Sequence, residues 1–354
     1  MGCETLAVSG QDFSLRGHLT HLPLLQVVLA RHVSPDAREI TPDGLVLHDL
    51  SAADRARLTF YVDVAGSANL RPSAVPGVVA ELNLTKVPAT PRVLAEAVAT
   101  AGDIMALFGV KSADDVRKRL ASMQVRGAAR VRAATGVPIL KRFAAKTEDV
   151  AVTCHREPYA KFFAVEEYDL THRRFDGTFS PQITRAVFIS GDAVTVLPYD
   201  PVRDRVLLIE QFRAGPFARG DAQPWQLEAI AGRIDPGETP QDAARREAVE
   251  EAGLTLGAML DVAQYYPSPG VFAEYLYSYV AITELPDGAA GVFGVDGEAE
   301  DIRGHLMGFD DLMALVATGE VANAPLILTA YWLAARREIL RAGLQPGQNP
   351  SKEG

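Results

Sequence analysis

Gly232-Arg233-Ile234-Asp235-Pro236-Gly237-Glu238 leads into Thr239-Pro240, and the chain then runs through Arg246-Glu247-Ala248-Val249-Glu250-Glu251-Ala252 to Gly253-Leu254. A threonine at the N-cap, a proline in the first turn and a glycine past the end bracket a helix over Pro240–Ala252. On that helix Glu247 and Glu251 stand one turn apart with Glu250 beside them, while Ala248, Val249 and Ala252 point away. Carboxylates crowded on one face repel by roughly a few tenths of a kcal/mol per pair unless a cation lies between them. A hard divalent ion suits them: Mg²⁺, with Mn²⁺ as second candidate, takes oxygen ligands and keeps positions for water and phosphate oxygens. The glycines of the preceding loop permit close backbone approach, and a carbonyl near Ala231 is a further candidate ligand. Arg246 is spaced to orient Glu238 or Glu247. The plainer reading, an acidic solvated helix face, leaves the loop, the glycine and the arginine unexplained.

Upstream of this helix, Ala193 to Leu197 and Arg205 to Ile209 are β-rich runs around a turn at Tyr199–Asp204, which predicts a hairpin. Leu326 to Leu340 has helical spacing, with Arg336, Arg337 and Arg341 near its C-terminal end. Gln345 to Gly354 reads as a frayed tail. The first half differs in texture. Up to about Ala80 it is mixed, with short strands and a helix expected from Pro23 to Ala30, and Pro91 to Ala134 is largely helical, with Thr90-Pro91 and Ser112 as starts. Val116 to Lys146 carries nine Lys or Arg and no acid; lacking the aromatic pattern of RNA binders, it is read as a solvated helix face rather than a nucleic-acid patch. The boundary is placed between Ala145 and Val152.

With 354 residues the chain exceeds what one core usually serves, and its 48% hydrophobic and 23% charged content is that of a globular protein, so two domains are expected. An excess of 45 acidic over 35 basic residues, a formal charge of −10, opposes binding to nucleic acid or acidic membranes, and an anionic substrate would need local cations. Cys3 and Cys154 are too few for a disulfide framework, which points to a reducing, cytoplasmic setting. The segment Met1–Leu6 carries no export or lipidation signal, and no apolar stretch is long enough to span a bilayer.

Gly232, Glu238, Arg246, Glu247, Glu250, Glu251 and Gly253, with Ala248 and Leu254 at the apolar sites, match the Nudix box G-x5-E-x7-R-E-U-x-E-E-x-G-U. The chain resembles Nudix hydrolases. That resemblance implies an α/β/α sandwich and Mg²⁺-dependent hydrolysis of a nucleoside diphosphate linked to another group. Glu247, Glu250 and Glu251 would then be metal ligands, and Glu247 and Glu251 catalytic through the metal. Over roughly residues 162–341 the chain is similar to ADP-ribose pyrophosphatases, through Leu197-Pro-Tyr-Asp-Pro-Val-Arg-Asp204, Glu210-Gln-Phe-Arg213, Leu227-Glu-Ala-Ile-Ala-Gly232, Glu300-Asp-Ile-Arg303 and Pro269. The run Ser-Gln-Pro-Trp-Pro that marks NADH hydrolases is absent.

By this resemblance Arg185, Arg213 and Glu228 are substrate contacts. Guanidinium forks match phosphate oxygens, and Glu228 would accept a ribose hydroxyl or adenine amino proton; the alternative for each is a surface ion pair. Phe212, Trp225 and Tyr265 are candidates to stack on adenine, but aromatics beside strands more often pack, and they are read as packing. In the glycine-containing loop Val295-Asp-Gly-Glu-Ala-Glu-Asp-Ile-Arg303, Glu300 would be a late metal ligand and Glu298 the base for the attacking water. Tyr266-Pro-Ser-Pro-Gly270 reads as a rigid turn. ADP-ribose would yield AMP and ribose 5-phosphate, with activity climbing into the alkaline range, and the resemblance implies a homodimer sharing strands around Phe162–Phe188. Rival readings are hydrolysis of a nucleotide sugar such as GDP-mannose, and a nucleotide-binding module without turnover.

Gly17-His18-Leu19 and Arg57-Leu58-Thr59-Phe60-Tyr61-Val62 weakly resemble γ-glutamylcyclotransferase-like segments, with Val62 in place of the catalytic glutamate and, if the run is a strand, Asp63 on its other side. The fold class expected is α/β, a C-terminal Nudix sandwich preceded by a smaller mixed α+β cyclotransferase-like domain. Residues 1–148 form that degenerate domain with a helical extension, 149–343 the hydrolase and 344–354 the tail. Such two-part chains resemble a tellurite-resistance family; Cys3 and Cys154 alone supply no metalloid chemistry.

Overall fold

The computed structural model describes residues 22–30, 38–41, 44–47, 51–65, 70–71, 80–82, 90–294 and 301–343. The Gly17-His18-Leu19 segment, Glu298, Glu300 and the C-terminal tail lie outside them. Contacts divide the chain into two units, Met1–Ser190 and Gly191–Gly354. Among the described residues no helix is long and apolar enough to cross a membrane.

In the first unit, strands β1 (Arg38–Thr41), β2 (Gly44–Leu47), β3 (Leu70–Arg71) and β4 (Ala80–Leu82) form an antiparallel sheet in the order β1-β2-β4-β3. Helices α1 (Leu22–Leu29) and α2 (Ala52–Ala65) contribute Leu24, Val28, Leu58, Tyr61 and Val64 to a core shared with Ala101, Ile104 and Met123. The run Arg57–Val62 is therefore helical, not extended. Ser51 and Asp54 explain the start, because the Asp54 N–H donates to Ser51 Oγ at 3.1 Å while the Ser51 N–H donates to Asp54 Oδ2 at 3.0 Å. Leu58, Tyr61 and Val62 then fall on one buried face at helical spacing, overriding their strand-like composition.

Helices α3 (Pro91–Ala106), α4 (Ala113–Arg117) and α5 (Leu120–Ala133) follow, with Thr90 and Ser112 capping the first two as expected. Strands β5 (Val150–Ala160), β6 (Ala164–His172) and β7 (Ile183–Ile189) make an antiparallel sheet in sequence order. The basic run does not behave as a solvated face throughout: Arg119 and Arg126 are buried and meet Glu157 of β5 and Glu166 of β6.

The second unit is an α/β/α sandwich. Strands β8 (Ala193–Asp200) and β9 (Arg205–Phe212) form the predicted hairpin, paired at Tyr199–Val206 and Asp200–Arg205. Buried Asp200 fixes its turn by accepting from the N–H groups of Val202 and Arg203, each at 3.0 Å, and Asp204 takes the left-handed φ of 56°. Beyond the turn the two strands splay. After a short helix α6 (Ala214–Arg219), β10 (Trp225–Glu228) adds to β9, and β11 (Ile230–Arg233) adds to β8. β12 (Met259–Tyr265) and β13 (Leu276–Ile282) extend the sheet past β8, with β13 and β8 parallel, and β15 (Ile302–Gly308) with β14 (Val292–Phe293) extends it past β9.

Alternate residues point to opposite faces. Val194, Val196, Leu207 and Ile209 face α7 (Pro240–Ala252), which packs through Ala243, Ala244, Ala248 and Ala252. Leu197, Tyr199, Val206 and Leu208 face α8 (Phe309–Thr318) and α9 (Ala324–Ala334) through Phe309, Leu312, Leu326, Ala330 and Leu333. Full burial of each such Leu, Val or Ile stabilises by about 1.5–3 kcal/mol.

The single helix expected over Leu326–Leu340 is two, α9 and α10 (Arg337–Arg341), with Arg336 between them at φ −122°. Tertiary contacts explain the break. Arg337 and Arg341 both reach Asp204 at the hairpin turn, Arg337 also binds Asp310, and Arg336 lies over the Trp332 ring at 4.3 Å.

Candidate active site

The wedge of β10 and β11 places the site. β11 ends at Arg233 against β8, and the chain turns through Gly237, at φ 84°, into α7. Thr239 Oγ1 accepts from the Asp242 N–H at 3.1 Å, and Gly253 closes the helix at φ 61°, where a Cβ would meet the Phe293 ring at 3.0 Å.

Arg246 organises the acidic face. Its Nε donates to Glu238 Oε1 at 2.9 Å and its Nη2 to Glu238 Oε2 at 3.1 Å and to the Arg233 carbonyl at 2.9 Å. Its Nη1 donates to Glu247 Oε1 at 2.6 Å and Glu250 Oε2 at 3.0 Å. The sequence suggested that Arg246 holds Glu238 or Glu247; it holds both, and Glu250 as well. These bonds, those to Glu238 foremost, keep the guanidinium protonated beyond its ordinary range. Burial pushes the Glu238 carboxyl upward, but Arg246 and the Asp235 N–H outweigh it, and the group ends below its usual range.

Glu251 is buried at 2% exposure, and its Oε2 accepts from the Ala231 N–H at 3.0 Å. Glu247 lies against Gly232, where an added Cβ would come within 1.9 Å of Oε1. Only glycine fits there without moving the carboxylate. Ala231, Glu247, Glu250 and Glu251 are thus brought together where β11 passes α7. Among the described residues no three His, Cys, Asp or Glu side chains stand gathered around a metal-sized point. The donor chemistry nonetheless fits a hard divalent ion: carboxylate oxygens, one on a cradle that a Cβ would fill.

Arg213 follows β9, and Glu228 ends β10. Their charges meet: Arg213 donates to Glu228 Oε2 from Nε at 2.9 Å and from Nη2 at 2.7 Å. Glu228 is buried, and it also accepts from Gln211 Nε2 at 3.3 Å and from Asn323 Nδ2 at 2.9 Å. Neither Gln211 nor Asn323 was singled out from sequence. Asn323 carried one signal, that of a helix cap, and its Oδ1 does accept from the Leu326 N–H at 3.0 Å.

Arg185 lies on β7 in the first unit, exposed, with Nη1 donating to the Thr184 carbonyl at 2.9 Å. Phe212 and Trp225, read as packing, are 46% and 54% exposed and meet edge to face at 5.5 Å. Tyr265 OH lies 3.1 Å from Ser278 Oγ. In the stretch read as a rigid turn, the Ser268 carbonyl accepts from the N–H groups of Val271 and Phe272 at 3.1 and 2.9 Å.

Residues 190–329 match the NUDIX domain. An ADP-ribose pyrophosphatase of Escherichia coli strain K12 is 37% identical over 193 residues, 54% of this chain and 91% of that protein. An ADP-ribose pyrophosphatase of Haemophilus influenzae is 31% identical over 188 residues, 52% of this chain and 86% of the relative. A GDP-mannose pyrophosphatase of Yersinia pestis is 31% identical over 167 residues, covering 47% and 82%. An intact box on a helix-and-strand frame of this kind, with relatives matched over most of their length, means that this chain belongs to the Nudix family.

Proposed function

We propose that the chain hydrolyses ADP-ribose, adding water across the diphosphate to give AMP and ribose 5-phosphate. The observation that carries this is the arrangement around Arg246, one guanidinium fixing Glu238, Glu247 and Glu250 while the Ala231 N–H holds Glu251. Similarity to two proteins named ADP-ribose pyrophosphatases supports the substrate.

Glu247, Glu250 and Glu251, with the Ala231 carbonyl and Glu300, would hold a divalent cation, Mg²⁺ or Mn²⁺. Such an ion, when bound, lowers the pKa of water and offsets charge gathering on phosphate oxygens. The chain's own residues do the rest. Arg213, set by Glu228, offers a guanidinium fork to the diphosphate, Glu228 is a further candidate contact, and Arg185 is a substrate contact by resemblance alone. Glu298 is the proposed base that takes the proton from water as it attacks phosphorus and the anhydride P–O bond breaks. Because a base and a water must both lose protons, activity should rise toward alkaline pH.

This reading extends to a cytoplasmic homodimer acting on a small nucleoside diphosphate rather than on nucleic acid or membrane. It keeps the partition into residues 1–148, a cyclotransferase-like accessory region without its glutamate, 149–343 and 344–354. A link to tellurite resistance through removal of reactive ADP-ribose belongs to the same proposal; resistance unchanged in a strain lacking the carboxylate cluster would sever it.

The Yersinia pestis relative favours a second reading, hydrolysis of a nucleotide sugar. Phosphomonoester release from ADP-ribose, GDP-mannose, NADH and diadenosine polyphosphates, with and without Mg²⁺, decides. ADP-ribose should give the highest kcat/KM, and only with the metal. A wide margin for GDP-mannose would replace the substrate, and no turnover of any would leave a binding module.

A further inference from the structure

We propose that the cavity lined by α3, α5 and the β5–β6 ladder in the first unit binds a small carboxylate with a hydrogen-bond donor beside it, an α-amino or α-hydroxy acid. The cavity measures about 80 Å³, and Asp103, Arg119, Arg126, His155, Glu157 and Glu166 supply the polar groups among apolar lining from α3 and α5. That is several times the roughly 10–15 Å³ that one water needs.

Most of this cluster is internally satisfied. Arg126 Nη1 reaches Glu157 Oε2 and Glu166 Oε1, each at 3.4 Å, Arg130 binds Asp103 Oδ1, and the Tyr168 hydroxyl donates to Glu166 Oε2. Arg119 is different. Its side chain is 7% exposed, and although Nη1 is ion-paired with Glu157 Oε1 at 2.6 Å, none of Nε, Nη1 and Nη2 makes a hydrogen bond. Asp103 Oδ2 and Glu157 Oε1 are buried acceptors that make no hydrogen bond either, although Glu157 Oε1 has the Arg119 and Lys111 cations beside it. Unfilled donors and acceptors of this kind are expensive to bury.

A single ligand repairs both sets. Arg119 presents a planar fork that two carboxylate oxygens match, and Asp103 Oδ2 with Glu157 Oε1 call for an N–H or O–H. Lys111, Arg119, Arg126 and Arg130 stand against Asp103, Glu157 and Glu166, leaving one positive charge in excess and favouring an anion. Phosphate fits less well. As a dianion it would set bare oxygens against two carboxylates, whereas an amino or hydroxyl group turns that side of the cavity into an attractive one.

The test is calorimetric titration of the full chain with glycine, L-lactate, acetate and phosphate in a buffer free of other carboxylates. Glycine or lactate should bind saturably, and acetate and phosphate at least about tenfold more weakly, since each leaves the acceptors unfilled or repelled. Arg119→Met should abolish the signal, with helical content checked by circular dichroism. Should that variant not fold, Ala106→Met decides: Ala106 lines the cavity from an exposed position, so the larger side chain fills space and leaves every charge in place. Lost binding in Ala106→Met supports the site. No saturable glycine or lactate binding, which would mean a cavity holding only water, overturns the proposal. Acetate or phosphate binding as tightly does so too, as does affinity unchanged in the substituted chains.

Discussion

Both units set arginines among carboxylates, but they assemble the cluster in opposite ways. In the second unit a single arginine, Arg246, serves Glu238, Glu247, Glu250 and the Arg233 carbonyl, all close in sequence. In the first, Arg119, Arg126 and Arg130 come from one stretch of chain and their acids from three others, at Asp103, Glu157 and Glu166. The local cluster is a helix face with a loop folded over it, formed once α7 forms. The dispersed one exists only after α3, α5 and the β5–β6 ladder have packed. A local cluster can be altered for chemistry at little risk to the fold; a dispersed buried one is bound up with stability.

Substitution of Glu251 should separate those roles most sharply. Glu251→Gln keeps an oxygen for the Ala231 N–H but removes a charge from the proposed metal site, so Mg²⁺-dependent hydrolysis of ADP-ribose should fall by about 10²–10³ in kcat. The urea midpoint should hardly move. A midpoint that collapses while residual activity per folded molecule stays normal would make Glu251 a structural residue.

Arg126→Met should do the reverse. Arg126 and Glu166 are 6% and 3% exposed, and stripping one partner from a buried pair typically costs about 3–5 kcal/mol. A large fall in the urea midpoint with ADP-ribose turnover retained below that midpoint is the expected result. A loss of unfolding free energy of less than about 1 kcal/mol would show the pair to be as solvated as a surface bridge.

Between these lies Arg246→Lys. An ammonium keeps the charge but has no planar fork, so it cannot hold Glu238 through two bonds and also reach Glu247 and Glu250. Loss of such an orienting partner typically costs about 10–100-fold in activity or metal affinity. Activity recovered by raising Mg²⁺ would place the defect in ligand orientation; a defect that no Mg²⁺ concentration relieves would place it elsewhere.

The same contrast governs what could be read before the fold was known. Helix α7 was legible to the residue because Thr239, Pro240 and Gly253 are local signals, and the hairpin at Asp200–Asp204 because Asp-Pro and a charged turn separate two β-rich runs. Residues whose roles depend on distant partners were not. Arg119 and Arg126 look solvated until Glu157 and Glu166 are brought beside them, and the break at Arg336 follows from Asp204 and Asp310, far upstream. The run Arg57–Val62 failed for another reason. Its composition suggests a strand, but the Ser51–Asp54 capping box and the spacing of Leu58, Tyr61 and Val62 were both present as helix signals. Asn323, which ties α9 to Glu228, announced only its cap.

A surface ion pair in the first unit offers the mildest test. Hydrogen bonds from Arg156 and from the Thr184 hydroxyl hold the Asp169 carboxyl down to about 2, below its ordinary 3.8. A carboxyl lowered on folding contributes stability that is complete above its unfolded pKa and is lost as pH falls through the folded one. Asp169→Asn should therefore lower the urea midpoint slightly at pH 5 and less at pH 3, so that the two chains converge on acidification. Arg156 also contacts Glu167 and the Cys154 thiol, so some hold on the strand pair survives the change. Divergence on acidification would mean that Asp169 is raised rather than lowered in the folded chain, and the Arg156 contacts would then have to form only transiently in solution.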